Sequence, residues 1–488
     1  MSLVAHEGRL FAGIGYWNDV VFGGGSADPH PGPQVLVKAA WNAPWKQDVA
    51  FGSNHLRVEC LRSFTLTTDK HGVPLNPPVT LLLAGSGEMT GSPRRAVVFV
   101  RNDTNGVWSA TYPGSVASGT PSTRVLFDHV DRALPTPVHH VFCGYGGADN
   151  TVVRGAYNTA TGLIDWESAT PELSGSERML SAGDCNGILY ACIGGNGVEG
   201  DNIGGVFWRE DGPSPQWHFV HEWPVNDKNP DIRGFTGVPH PKGFGYDVAL
   251  VTLESSGKVF CIDPIGGDPR NGHLVTEELN IQTFLGDEWN GGASIGFPSL
   301  SAYNDMPEVI HPGTGRPVNL IGLGVGYPAP DNTPERNSAY YLIRHRDATY
   351  EWGRVFDPSF PVPNPTAGGL RATRAARLSP FPEDGGRVLF LSGFDAASQT
   401  GPVWHNTAWI YRAELPDETA QIQRNGTDYT LSTDTAHGWQ YQLQHSEDLA
   451  HWFDFAAPLA GSNSVQSLSV TSAPGADREF YHWRIHRP

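Results

Sequence analysis

Long hydrophobic segments and positive charge are both scarce in this chain of 488 residues. No stretch approaches the ~20 consecutive apolar residues that a membrane-spanning helix needs. The 33 lysines and arginines are outnumbered by 51 aspartates and glutamates, which gives a formal net charge of −18. Such an acidic excess disfavours nucleic acids and anionic membrane surfaces as partners. We therefore expect a protein that binds neither, and we expect it to act as a monomer.

Cysteine and the common cofactor motifs are also scarce. The five cysteines are odd in number and dispersed through apolar segments, which does not suit a disulfide framework or the paired spacing of a zinc site. We predict that they are buried small hydrophobic residues. HExxH, EF-hand, phosphate-loop and dinucleotide-binding motifs are absent, as is a GxSxG motif in a strand–helix context. No cofactor is predicted to be required; the possible metal is a structural calcium ion near "YNDM" and "HN".

The sequence does contain a recurring strand pattern. Glycine (58) and proline (39) are abundant, and no long helical period is visible. Seven apolar runs with related glycine-rich ends recur along the chain: "LFAGIGYW", "VTLLLAGSG", "HVFCGYGG", "ILYACIGG", "VALVTLESSG", "VNLIGLGVG" and "VLFLSGFD". Most are followed by a second strand, and often by a third that carries tryptophan. Short strands in repeated groups predict a seven-bladed β-propeller over residues 1–416, and they fit a single large β-sandwich poorly.

The pattern changes after residue 416. Residues 420–488 contain alternating strands such as "WQYQLQHS" and "SVQSLSV", which predict a small C-terminal β-sandwich and not an eighth blade. The segments "YQLQHSEDLAHW" and "FYHWRI" resemble C-terminal modules that are common in secreted bacterial proteins. That resemblance implies export, so we expect a secreted or periplasmic protein, although the chain begins directly on a strand without an export signal.

Arginines recur near the predicted innermost strands of the blades. Because innermost strands converge on the propeller axis, residues at equivalent positions should form a ring around one mouth of the axial channel. Five arginines are predicted to form this ring: Arg62, Arg132, Arg178, Arg233 and Arg374. Tyr303 and Asn304 stand in the matching place of the sixth blade. Such a ring suits an anionic ligand; the alternative is that each arginine pairs with a nearby carboxylate, such as Asp131 or Glu177, and only supports the scaffold.

Histidines and other polar residues are predicted to surround the same mouth. His129 precedes Arg132, and His405 and Asn406 begin a strand of the seventh blade; Trp17 belongs to a glycine-rich mouth loop. The pair His139 and His140 begins a second strand and should therefore lie at the opposite end of its blade, in a structural role. Aromatic faces, amides and arginines together suit the rings, hydroxyls and carboxylate of an acidic sugar.

These features resemble those of the seven-bladed propeller polysaccharide lyases, which include the ulvan lyases and the lyases that cleave L-rhamnose–D-glucuronate linkages. The segments that carry the resemblance are "RMLS", "RGFT", "AYNDM" and "HNTAWIYR". It implies β-elimination on a uronate-containing polysaccharide. By this reading Arg178 and Arg233 hold the uronate carboxylate, His129 or His405 is the base or acid, and Tyr303 is its partner.

The remaining residues of the predicted mouth would contact the substrate: Arg62, Arg132, Arg374, Trp17, Asn304 and Asn406. Two other functions remain open on the same scaffold. One is a non-catalytic propeller that binds acidic glycans, and the other is a glycoside hydrolase that uses two carboxylates. A propeller hosts many functions, so the fold does not choose among them.

Overall fold

The computed structural model describes most of the chain. The described ranges are 2–15, 32–88, 93–116, 122–146, 150–175, 179–193, 205–223, 232–253, 257–289, 296–300, 306–311, 314–326, 338–356, 370–396, 406–414, 421–425, 428–435, 440–447, 451–461, 465–471 and 480–486. Within them the ordered elements are strands, apart from one α-helix, α1 (Ile281–Trp289), and short 3-10 helices at Ile265–Gly267, Pro269–Asn271 and Pro382–Asp384. No helix in these ranges is long and apolar enough to cross a membrane.

The first five blades are antiparallel sheets whose strands pair in chain order, with β13 pairing additionally with β11. Blade 1 contains β1 (Ser2–His6), β2 (Arg9–Ile14), β3 (Gln34–Lys38) and β4 (Lys46–Ala50); blade 2 contains β5 (Cys60–Thr68), β6 (Pro74–Gly87), β7 (Arg94–Arg101) and β8 (Trp108–Val116). Blade 3 contains β9 (Ser122–Asp131), β10 (Val138–Gly146), β11 (Asn150–Asn158), β12 (Leu163–Trp166) and β13 (Leu173–Gly175). Blade 4 contains β14 (Met179–Cys185), β15 (Ile188–Ile193), β16 (Gly205–Glu210) and β17 (Gln216–Phe219); blade 5 contains β18 (Ile232–Pro239), β19 (Asp247–Leu253), β20 (Lys258–Pro264) and β21 (His273–Asn280).

Blades 6 and 7 share one continuous sheet. Blade 6 contains β22 (Gly296–Leu300), β23 (Glu308–Ile310), β24 (Pro317–Gly326), β25 (Ser338–His345) and β26 (Tyr350–Phe356), and both β22 and β23 pair with β24. Blade 7 contains β27 (Leu370–Leu378), β28 (Val388–Ala396) and β29 (Asn406–Glu414). The end of β24 pairs directly with the start of β27, where Gly324 lies opposite Ala372. Backbone hydrogen bonds therefore join these two blades.

The first strands of the blades surround a common axis. Strand β1 lies beside β5 on one side and β27 on the other, and the contacts continue from β5 to β9, β14 and β18. Apolar clusters fill the spaces between blades; Leu83 and Val98 of blade 2, for example, pack with Leu126 and Val141 of blade 3. Burying each such side chain contributes roughly 1.5–3 kcal/mol. The prediction of a seven-bladed β-propeller is confirmed.

Glycines in four of the recurring apolar runs have a common structural reason: Gly13, Gly85, Gly144 and Gly322. Each lies where the next blade's inner segment approaches so closely that a Cβ would collide with it. A Cβ on Gly322 would lie 2.2 Å from the Thr373 carbonyl oxygen, and one on Gly144 would lie 2.3 Å from the Met179 sulfur. Glycine at these positions is therefore required by blade-to-blade packing.

The C-terminal strands form two further sheets. One contains β30 (Gln421–Asn425), β31 (Asp428–Asp434) and β35 (Val465–Thr471), and the other contains β32 (Gln440–Ser446), β33 (Phe453–Asp454), β34 (Leu459–Ala460) and β36 (Phe480–His486). Leu431 and Val470 of the first sheet pack against Tyr441, Leu443 and Trp483 of the second. The predicted β-sandwich is confirmed, whereas the division into units at residues 416 and 420 stays a prediction.

The cysteines behave as the sequence suggests. All five are free thiols in buried positions, and none forms a disulfide: Cys60, Cys143, Cys185, Cys192 and Cys261. Burial raises the pKa of the Cys60 thiol to about 12, so it stays protonated and unreactive at neutral pH.

Buried arginines connect the outer parts of neighbouring blades. An arginine from the third strand of blades 2, 4 and 6 reaches a carboxylate of the preceding blade, and each makes two parallel hydrogen bonds. The pairs are Arg101 with Asp48 (2.9 and 3.0 Å), Arg209 with Glu172 (2.8 and 3.1 Å) and Arg344 with Glu278 (2.6 and 3.0 Å). Such two-pronged ion pairs fix both distance and orientation, so they hold one blade against the next.

Candidate functional site

Residues from non-adjacent blades meet around Glu59, which directly precedes the inner strand β5. Its side chain is buried, and it accepts hydrogen bonds from the Arg57 guanidinium (2.7 Å) and the Ser122 hydroxyl (3.0 Å). Burial alone would raise the pKa of Glu59, but Arg57, Arg124 and Arg374 together lower it to about 2. Glu59 is therefore ionised and surrounded by guanidinium groups at neutral pH.

The strand origins of these groups place them on the propeller axis. Arg57 and Glu59 belong to blade 2, Arg124 to β9 of blade 3 and Arg374 to β27 of blade 7. Blades 2 and 7 are separated by blade 1, so their side chains can influence one another only across the centre of the ring.

A β-bulge positions several of the inner-strand arginines. In β27, Thr373 pairs with Gly393 of β28 and Ala375 pairs with the preceding residue, Ser392, so Arg374 is the extra residue of the bulge. Arg124 occupies the same kind of position in β9, and Arg233 lies within the irregularity near the start of β18. A bulge bends its strand and redirects a side chain away from the regular alternation. Blades 3, 5 and 7 thus each have a register irregularity at an arginine of the inner strand.

The inner strands β5 and β27 carry a second pair of arginines, Arg62 and Arg377. Burial lowers the pKa of Arg62 in β5, an effect that Cys60 and Asp128 oppose. Burial and the nearby charge of Arg62 lower the pKa of Arg377 in β27 to about 9. Two guanidiniums that influence each other in a buried setting repel strongly. We name Arg57, Arg62, Arg124, Arg374 and Arg377 the axial arginine cluster.

Arg377, one member of the axial arginine cluster, borders open space. A cavity of about 370 Å³ is lined by Arg377 together with Thr236, Asn319 and Glu308. These residues come from blades 5, 6 and 7, so the cavity lies towards that side of the axis. Four arginines of the cluster interact with the carboxylates Glu59 and Asp128: Arg57, Arg124 and Arg374 with Glu59, and Arg62 with Asp128. This concentration of guanidinium groups inside an acidic protein suits an anionic ligand.

Three of the predicted ring arginines lie on inner strands as expected. Arg62 is the third residue of β5, Arg233 the second of β18 and Arg374 the fifth of β27. Arg233 and Arg374 are buried. The predicted position of Arg132 is wrong: it follows the end of β9 in an exposed turn, at the opposite end of the blade from the strand start.

The predicted position of His129 is also wrong. It is not in a mouth loop but near the end of β9, buried between blades 3 and 4. Its Nε2 lies 2.9 Å from Asp211, and its Nδ1 lies 3.4 Å from Asp184. Burial disfavours the imidazolium, but the two aspartates outweigh this effect and raise the pKa of His129 to about 9. His129 is therefore protonated at neutral pH and is not suited to act as a general base.

The other predicted site residues fall where the structure gives little or no description. Five lie outside the described residues: Arg178, Tyr303, Asn304, Trp17 and His405. Asn406 is the first residue of β29, but its side chain is outside the described part. The roles proposed for these six residues stay predictions, as does the calcium site expected near "YNDM".

The histidine pair at the start of β10 lies at the strand end that the sequence predicts. His139 Nε2 lies 2.9 Å from Asp128, and the backbone N–H of Thr67 donates to His139 Nδ1 at 3.2 Å. His140 is buried, and burial followed by the charges of Arg154 and Arg209 lowers its pKa to about 4. These contacts belong to the packing between blades and fit the structural role.

Sequence reasoning missed Arg57, Glu59, Arg124 and Arg377. A usable signal existed for Arg124, because "STR" begins β9 just as "CLR" begins β5, so both arginines are third residues of inner strands. The resemblance of "RALP" to "RSFT" directed the alignment to Arg132 instead. No local pattern marks Glu59 or Arg377, whose positions depend on how three blades converge.

Solved structures with a related fold are known, although no family model and no curated protein matches the sequence. An α-L-arabinanase of Penicillium chrysogenum in complex with arabinobiose is similar, with 12% identity, 84% of this chain and 92% of that chain covered, and a TM-score of 0.35. The likeness is one of fold. A GH93 α-L-arabinofuranosidase of Fusarium graminearum with arabinobiose is also similar, with 12% identity, coverage of 66% and 86%, and a TM-score of 0.36.

An α-L-arabinofuranosidase of Fusarium graminearum in complex with an iminosugar inhibitor gives a TM-score of 0.37 at 12% identity, with 67% of this chain and 87% of that chain covered. These structures are named as an arabinanase and an arabinofuranosidase, so the resemblance to lyases has no counterpart among the three. At this level of identity no activity transfers to this chain.

Proposed function

We propose that this protein is a carbohydrate-active enzyme that binds the carboxylate of an acidic saccharide at the axial arginine cluster and cleaves the glycan by β-elimination. The observation that carries the proposal is the convergence of guanidiniums from blades 2, 3 and 7 on one axial site. Their mutual repulsion falls when an anion binds between them, because each arginine gains a charge-assisted hydrogen bond.

The arginines also suit the chemistry of the reaction. In β-elimination, negative charge grows on the uronate carboxylate as the C5 proton leaves, and fixed cations stabilise that charge without reorganising. The base must be unprotonated and lie near the reacting carbon, as a neutral histidine or a tyrosinate can. Of the two histidines predicted at the mouth, His129 is a buried cation. His405 and Tyr303 remain the proposed base and acid.

Hydrolysis by two carboxylates is the second candidate. Glu59 and Asp128 both interact with the axial arginine cluster, which is the minimum that such a mechanism requires. However, a glycosidase acid needs a raised pKa so that it carries a proton at working pH. The pKa of Glu59 is about 2, so Glu59 cannot supply that proton. The acid of a hydrolase would therefore have to be a carboxylate other than Glu59.

The test is to incubate the protein with uronate-containing polysaccharides and to follow both the ultraviolet absorbance of the unsaturated uronate product and the release of reducing ends. A growing absorbance band supports elimination. New reducing ends without that band would show hydrolysis, and saturable binding with neither product would show a non-catalytic glycan-binding propeller.

Variants then locate the site. Arg374→Gln and Arg124→Gln are each expected to lower kcat/KM about 10²–10³-fold, by analogy with the loss of one oxyanion donor. Arg412→Gln is the matched control, because Arg412 is half exposed and pairs with Asp384 (3.0 Å) at the periphery. Equal activity in all three variants, normalised to folded protein, would place the site elsewhere.

A further inference from the structure

We propose that blade 6 carries a zinc-binding site formed by His311, His345 and Glu351, separate from the axial arginine cluster. One ligand atom from each of these side chains lies within 4.8 Å of the other two. Among the residues that the structure describes, this is the one group of at least three histidine, cysteine or acidic side chains that meets this condition. Nothing in the proposed glycan chemistry uses these residues.

The fold of blade 6 brings the three ligands together. His311 directly follows β23, His345 is the last residue of β25, and Glu351 is the second residue of β26. Strand β24 lies between β23 and β25: Ile310 is opposite Pro317, and Val318 is opposite His345. Both histidines therefore emerge at the same edge of the sheet, on either side of the start of β24.

The donor atoms of the three side chains lie close enough together for a single ion to bind all of them. His345 Nε2 lies 3.0 Å from one oxygen of Glu351, and His311 Nε2 lies 3.6 Å from the other. The centroids of the two imidazole rings are 5.3 Å apart. Tetrahedral zinc with ligands at ~2.0–2.2 Å needs donor atoms within a few ångströms of one another, and small side-chain rotations bring these three into that range.

A neighbouring hydroxyl orients one of the imidazoles. Thr314 Oγ1 lies 3.3 Å from His311 Nδ1, so it can accept the Nδ1–H hydrogen bond and leave the Nε2 lone pair directed towards Glu351. Metal-bound histidines usually have such a partner on the nitrogen that does not bind metal. Two imidazoles and one carboxylate form an established zinc ligand set, and the half-exposed Glu351 leaves room for a water as the fourth ligand.

Another histidine with two carboxylates shows why the geometry matters. His129 contacts Asp184 through Nδ1 and Asp211 through Nε2, on opposite sides of its ring. One ion cannot reach both of these contacts, whereas in blade 6 both imidazoles approach the same carboxylate through Nε2. A bound ion would connect β23 to β25 and β26 across β24, and so would stabilise the blade that is joined to blade 7.

The test measures zinc binding to the full chain after treatment with a chelator, by equilibrium dialysis against buffered Zn²⁺ with metal analysis. The wild type is expected to bind one more equivalent of Zn²⁺ than His345→Gln or Glu351→Gln, or to bind that equivalent at least about tenfold more tightly. His218→Gln is the matched control, because His218 pairs with Glu210 (3.1 Å) without a third ligand. It is expected to bind zinc like the wild type.

Thermal unfolding provides a second readout. Zn²⁺ should raise the Tm of the wild type and of His218→Gln but not that of Glu351→Gln, whose exposed position makes misfolding an unsuitable explanation for a loss of binding. Equal zinc binding by the wild type and both ligand variants would overturn the proposal, as would a wild type that binds no zinc.

Discussion

The arginines between blades and the arginines on the axis differ in the charged groups that surround them. Arg101, Arg209 and Arg344 each hold a carboxylate of the neighbouring blade through two hydrogen bonds. On the axis, Arg57, Arg124 and Arg374 interact with Glu59, Arg62 interacts with Asp128, and Arg62 lowers the pKa of Arg377. Where carboxylates balance its charge, a buried arginine stabilises the fold; the axial arginines, which also influence one another, bear a cost that the proposed anionic ligand would offset. On this basis we assign the first group to the scaffold and propose the second as the ligand-binding group.

The largest expected loss of stability comes from replacing an arginine whose charge is balanced by buried carboxylates. Arg209 is fully buried and contacts Glu172, Asp131 and Asp211. Arg209→Met would leave these carboxylates buried without their counterion, so we expect a loss of ~3–5 kcal/mol in the free energy of unfolding. Denaturant unfolding measures this change in the free energy of unfolding. Arg377→Met is the matched comparison on the axis and should cost far less, because it removes one of two repelling charges. Equal losses in the two variants would remove the distinction between the groups.

The second-largest expected effect is a dependence of the free energy of unfolding on pH. The pKa of His129 rises from its ordinary value of 6.5 to about 9 in the folded protein. A raised folded-state pKa stabilises the protein fully below pH 6.5, and that stability is lost as the pH rises through about 9. The loss is on the order of 3 kcal/mol. Unfolding of the wild type and of His129→Gln across pH 6–10 should show a decline in the wild type that the variant lacks; parallel curves would contradict the assignment.

The smallest effect is expected for an exposed pair that also connects two blades. Lys70, after β5, lies 2.7 Å from Asp165 in β12, and both side chains are largely solvated. Lys70→Met should change the free energy of unfolding by at most ~1 kcal/mol, because water and salt screen the attraction. The measurement is denaturant unfolding at low and high salt. A loss as large as that of Arg209→Met would show that burial does not decide which ion pairs matter.

The fold was more predictable than the site, for a physical reason. Strand periodicity is local, so runs such as "HVFCGYGG" reveal the second strand of each blade, and their terminal glycines mark the close approach of the next blade. The site depends on register and on contacts across the axis. A shift in the assumed start of β9 exchanged Arg124 for Arg132, and it moved His129 from a buried interface to a mouth loop. Glu59 has no local pattern, since blades 2, 3 and 7 create its environment.

The way the ring closes has a further consequence. Blade 1 takes all four of its strands from residues 2–50, and in the described part of the chain no strand pairing connects blade 1 with blade 7. Side chains alone close this boundary: Leu3 and Leu10 pack against Ala375, Phe381 and Phe390. Blades 6 and 7, in contrast, are joined by the backbone. Every other boundary between neighbouring blades is crossed by the chain itself, so the propeller has a seam between blades 7 and 1. When the ring begins to open, it should part between its first and last blades, and the axial arginines would then meet bulk water.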